Sequence, residues 1–95
     1  MPSFSYYHVE IDKNEDTKEV MVRGDVINNT DKPYATLAVR LILFKNNITV
    51  ANVVFTVKGL TPGSCKAFSK TIEELDYGQV GKDINRYEIY TESAF

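Results

Sequence analysis

Gly24-Asp25-Val26-Ile27-Asn28-Asn29-Thr30, then Pro33, then Leu37-Ala38-Val39-Arg40-Leu41-Ile42-Leu43-Phe44 is the stretch whose reading decides the fold. It closes with Gly59-Leu60-Thr61-Pro62-Gly63 and with Phe68 five residues later. Between the polar clusters, apolar residues recur at every second position, the period of a strand with one buried face. Within the clusters, Asn and Asp side chains bond their own backbone, and Pro33 presets φ while removing a ladder donor. Each residue of the pattern has an architectural task, and none is a catalytic group.

Outward from this stretch the same alternation continues. Residues 4–11 place Tyr7, Val9 and Ile11 on one face and Tyr6, His8 and Glu10 on the other, with the first set expected inward. The polar run from Asp12 to Asp16 then closes a hairpin. Residues 18–28 direct Val20, Val22 and Val26 inward. Gly24 interrupts them, and a glycine within a strand marks a bulge or a close backbone approach. Residues 34–45 form the longest apolar run and the expected central strand, with Leu37, Val39, Leu41 and Leu43 on one face. Asn46-Asn47 reads as a two-residue hairpin connection, after which Ala51, Val53, Phe55 and Val57 point inward. Residues 64–71 carry Phe68. Thr71-Ile72-Glu73-Glu74 has capping-box spacing, and Gly78 and Gly81 hold any helix there to one turn. A short helical connection or an irregular loop is therefore expected over residues 73–82, with at most a short helical turn near residues 73–77. The last strand, residues 84–91, directs Tyr87 and Ile89 inward and Arg86, Glu88 and Tyr90 outward. The expected fold is an all-β sandwich of six or seven antiparallel strands, one domain over residues 1–95.

Composition narrows the function classes. The 95 residues are 43% apolar and 25% charged, with a net charge of −2. Lys and Arg are scattered and form no stripe, which argues against a nucleic-acid partner, whose phosphates need a basic footprint. A single cysteine, Cys65, excludes an internal disulfide. No run approaches the ~20 apolar residues of a membrane-spanning helix, and the first residues have neither the basic nor the apolar region of a signal peptide. A complete chain of this kind is expected in the cytoplasm; a domain cut from a longer protein carries no such implication.

The pattern resembles the FxLYD family of immunoglobulin-like domains. The shared elements are the strand ending Gly24-x-Val26-x-Asn28, the polar turn with Pro33, the long apolar strand, and Leu60-x-Pro62-Gly63 leading to Phe68. The segment that names the family falls on Leu41 to Lys45, where Leu41 stands in place of Phe and Lys45 in place of Asp. The match spans roughly residues 18–70 plus a final strand of the right character. Water-stress domains of late-embryogenesis-abundant proteins share a similar strand and turn logic. Fibronectin type III domains fit less well, because Lys66 stands where their tyrosine is expected. The resemblance implies a seven-stranded immunoglobulin-like sandwich, often attached to exported or envelope proteins, and it brings no catalytic residue with it.

Several side-chain groups invite a chemical reading. Asp12, Asn14 and Asp16 have the spacing that opens a calcium loop, but Arg23 occupies the position of the bidentate acid and Thr17 that of the required glycine. A solvated hairpin tip is the expected outcome. His8 is the only histidine and has no second metal ligand or nucleophile at a readable spacing. Cys65 beside Lys66 reads as a half-buried structural thiol. Asn28-Asn29-Thr30 and Asn47-Ile48-Thr49 both match the glycosylation acceptor pattern, and Glu73, Glu74 and Asp76 read as acids of a solvated turn. The remaining signal is aromatic. Tyr6, His8, Arg86 and Tyr90 share outward parity on the first and last strands, which are expected to be neighbours. They form the candidate partner-binding surface, since Tyr and Arg are frequent anchors of protein contacts. The expected activity is a non-catalytic interaction or structural module, with no metal, no cofactor and a protein or neighbouring domain as partner. The alternative is a small-ligand or metal-dependent hydrolytic activity, which would need Asp12, Asp16 and His8 in one deep polar pocket.

Overall fold

The structure, a computed structural model, describes residues 2–95. Six strands follow one another: β1 (Phe4–Lys13), β2 (Glu19–Asn28), β3 (Tyr34–Lys45), β4 (Ile48–Leu60), β5 (Cys65–Asp76) and β6 (Arg86–Ala94). They form two antiparallel sheets of three, β1-β2-β5 and β4-β3-β6. The fold is thus an all-β sandwich, with β3 in the middle of its sheet. The molecule measures 42 × 28 × 19 Å. Its long dimension is the reach of the 13-residue β4 at about 3.3 Å per residue.

Alternation determines which side chains fill the sandwich. Val20, Val22 and Val26 of β2 and Leu37, Val39, Leu41 and Leu43 of β3 are fully buried. Around them the core divides into two ends. One contains Phe4, Val26, Leu37, Val39, Val57, Leu60 and Phe68. The other contains Val20, Val22, Leu41, Leu43, Ala51 and Ile72. Val9, Phe55 and Ile89 pack against both.

The turn residues act as their chemistry requires. Asn46 and Asn47 both have positive φ, 50° and 68°, and join Lys45 to Ile48 as a two-residue hairpin. At Thr61-Pro62-Gly63-Ser64 the Ser64 N–H donates to the Thr61 carbonyl at 3.0 Å, and Gly63 has φ 73°. That is a type II turn, with Pro in its second place and Gly in its third.

Asn28 fastens one end of the sandwich. Its side chain is fully buried. The amide donates to the carbonyls of Lys32 (2.8 Å) and Leu60 (3.1 Å), and its oxygen accepts from the Thr30 N–H (2.9 Å) and hydroxyl (2.6 Å). The Asn28 carbonyl also accepts from the Gly63 N–H at 2.8 Å. Asn28, Leu60 and Gly63 are thereby one linked unit that crosses between the sheets. With both amide hydrogens committed and the side chain enclosed, Asn28 is not a glycosylation acceptor in the folded chain.

Three sequence expectations need correction. The helical turn lies at Gly81–Asp83 and not near residues 73–77, because β5 continues to Asp76. The turn that leads into it starts at Asp76, whose carboxylate accepts from the Gln79 N–H at 3.2 Å, and the helical turn itself has no side-chain cap. Tyr87 shares the parity of Ile89 but lies at the margin, 40% exposed. The third correction concerns β1. Tyr7 pairs with Asp25 and Glu10 with Arg23, so His8 and Val9 together face the single residue Gly24. His8 takes φ 55°, the left-handed bulge conformation that glycine usually fills. One extra residue reverses the parity of everything before it. Phe4 and Tyr6 therefore face the core and Tyr7 faces solvent, while Val9 and Ile11 point inward as expected. A Cβ on Gly24 would lie 3.0 Å from Phe68 Cζ, 3.1 Å from the Tyr7 carbonyl oxygen and 3.2 Å from Val9 Cγ2. Gly24 is the close approach that accommodates the bulge.

Candidate functional site

β1 and β6 are edges of different sheets and do not pair with each other. They lie on the same side of the sandwich, bridged by a bond of 2.7 Å between the Tyr6 hydroxyl and Thr91 Oγ1. Between them opens a cleft of about 560 Å³ lined by Phe4, Tyr6, Tyr34, Ile89, Tyr90 and Thr91, among others. Its aromatic walls are braced. The Phe4 and Tyr34 rings meet edge-on at 5.5 Å, and Tyr6 meets Phe68 edge-on at 6.5 Å. Burial pushes the Tyr6 phenol above the usual tyrosine value, and the Thr91 bond opposes that shift. Tyr90 stands at the rim with 45% of its surface exposed.

The four expected contact residues do not make one patch. Tyr6 and Tyr90 meet at the cleft, Tyr6 from its inner wall and not from the outer face. His8 is carried by the bulge to the outer face of the first sheet, where its Nδ1 lies 3.1 Å from Asp25 Oδ2. There it borders a depression of about 450 Å³ with Glu10, Arg23, Asp25 and Ser69. Arg86 is committed at the start of β6, with its guanidinium 3.9 Å above the Phe44 ring and its Nη1 3.0 Å from Glu88.

The groups needed for hydrolytic chemistry are also dispersed. His8 turns to Asp25, while Asp12 accepts an ion pair from Arg23 at 3.1 Å. Asp16 sits at the exposed hairpin tip, where the Asn14 side chain accepts its N–H at 2.9 Å. Among the described residues, no three of His, Cys, Asp and Glu converge as metal ligands would. Cys65, expected to be half-buried, is exposed at the start of β5. No helix of the described residues is long and apolar enough to cross a membrane.

Sequence reasoning missed Phe4, Tyr34, Ile89 and Thr91 as walls of the cleft. A signal for the first of these was present: Phe4 and Tyr6 share a parity, and Gly24 marked an irregularity opposite β1. It did not say which strand carried the extra residue. No family model matches the chain, and no curated protein or solved structure matches it.

Proposed function

We propose that this chain is a non-catalytic, immunoglobulin-like module of the FxLYD type that contacts another protein through the β1–β6 cleft. The observation that carries the proposal is the cleft itself, an aromatic opening between two unpaired sheet edges with Tyr90 exposed at its rim. Buried aromatics with a polar tip are the side chains that contribute most to protein contacts at low entropic cost. The strand order supports the immunoglobulin-like reading, since the first, second and fifth strands share one sheet and the third and sixth share the other. The dispersal of His8, Asp12 and Asp16 favours contact over hydrolysis.

Photo-crosslinking in the cell that makes the protein tests this. A benzophenone side chain at position 90 should yield a discrete adduct with another polypeptide. The same group at position 7, equally exposed on the outer face of β1, should not. Adducts at position 7 alone would move the contact surface off the cleft.

A further inference from the structure

The sandwich has four edge strands, β1, β5, β4 and β6, and three of them carry the usual protection against pairing with another chain. β1 has its bulge at His8 and the charges of Glu10, Asp12 and Lys13. β5 carries Lys66, Lys70, Glu73 and Glu74 and loses register before Asp76. β6 carries Arg86, Glu88 and Glu92. β4 is different. From Ile48 to Val57 it has no charged residue, no proline and no glycine, and its only charge is Lys58 near the end. Its one register shift falls at Val50, close to its start. On its outward face Val54, opposite Arg40, is exposed at 45%.

The direction of its backbone groups follows from the ladder. Thr36 and Phe95 exchange both backbone hydrogen bonds at 3.0 Å, so Thr36 faces β6. Alternation along β3 turns Ala38, Arg40 and Ile42 the same way. Their partners across the sheet, Thr56, Val54 and Asn52, therefore direct N–H and C=O off the free edge of β4.

We propose that the β4 edge pairs antiparallel with the β4 edge of a second copy of this chain, about a two-fold axis at Val54. That register sets Val54 against itself and Asn52 against Thr56, with Val53 against Phe55 on the inner face. It forms about six backbone hydrogen bonds between the copies and joins the two β4-β3-β6 sheets into one. Charge selects a second copy as the occupant. An uncharged edge meets its own image without repulsion, and the two Lys58 side chains fall at opposite ends, about 27 Å apart, beyond the screening length. Self-pairing of β6 about Tyr90 would instead oppose Glu88 to Glu92. This surface lies on the opposite side of the sandwich from the β1–β6 cleft, and the two assignments stand independently.

Sedimentation equilibrium from about 5 μM to about 1 mM, with residue-resolved hydrogen exchange, tests the pairing. The expected result is a monomer–dimer equilibrium in which the amides of Asn52, Val54 and Thr56 gain protection with concentration. Val54→Lys, on the solvent face, should weaken dimerisation at least about tenfold by opposing like charges while leaving the melting temperature of the dilute monomer unchanged. Mixing Val54→Lys with Val54→Glu should restore association as a heterodimer. A monomer throughout the range would overturn the proposal. So would a dimer indifferent to Val54→Lys, or these amides becoming protected only by a different protein.

Discussion

Asn28 shows how one residue can hold two sheets at a shared end. All of its amide hydrogen-bonding capacity is used in a site closed to water. Asn28→Ala strands the Leu60 and Lys32 carbonyls, and urea melts should show a loss of roughly 2 to 4 kcal/mol. Asn29→Ala, whose partners Pro2 and Ser5 lie at the surface, should lose under about 1 kcal/mol. Equal losses would remove Asn28 from its linking role. Tyr6 makes a second residue-scale prediction. Its phenol is raised by burial, so the folded chain retains the proton after the unfolded chain has released it. The stability from this group is complete below the unfolded value near 10 and declines as pH rises through the folded value. Melts between pH 8.5 and 11.5 (~1.5 units either side of that value) should fall more steeply for the parent than for Tyr6→Phe. Parallel curves would mean that the ring is solvated. Asn28 and Phe68 were legible in the sequence because turn chemistry and alternation mark them. Tyr6 was not, because the bulge at His8 separates it from the alternation of Val9 and Ile11 that set the expected faces of β1.

At the scale of the element, the bulge governs what β1 presents. Its two halves depend on His8 holding φ 55° and on Gly24 leaving space opposite. His8→Gly should therefore stabilise the chain by up to about 1 kcal/mol, since glycine takes the left-handed conformation without steric cost. Gly24→Ala should destabilise by about 1 to 3 kcal/mol, because its methyl group meets Phe68 and the Tyr7 carbonyl. Thermal melts of both variants measure this. A destabilised His8→Gly with a neutral Gly24→Ala would contradict the bulge. β2, β3 and β4 were readable to within a residue or two because alternation there is unbroken for several positions. The end of β5 was not. Thr71 and Glu74 offered capping-box spacing, but Ile72 is buried, and Asp76 with Gln79 provides the same spacing one turn later.

For the whole molecule, what separates the sheets also creates the candidate site. A sandwich of two three-stranded sheets with Phe68 between them stands or falls on its core. Phe68→Ala should cost about 3 to 5 kcal/mol, while Ser69→Ala on the exposed face of the same strand should cost little. Equal losses in urea would mean the faces of β5 are misassigned. The same arrangement keeps β1 and β6 apart, joined by Tyr6 and Thr91 and open at Tyr90. The candidate patch was half legible for this reason. Strand parity can place residues on a face, but it cannot say that two terminal strands belong to different sheets. The central claim, that the chain contacts its partner at this cleft, is tested most directly by Tyr90→Ser and Tyr7→Ser assayed against the crosslinked partner. Isothermal titration should show at least about a tenfold loss of affinity for Tyr90→Ser, with its melting temperature unchanged, and no loss for Tyr7→Ser. Equal affinity for the parent and Tyr90→Ser would contradict the claim.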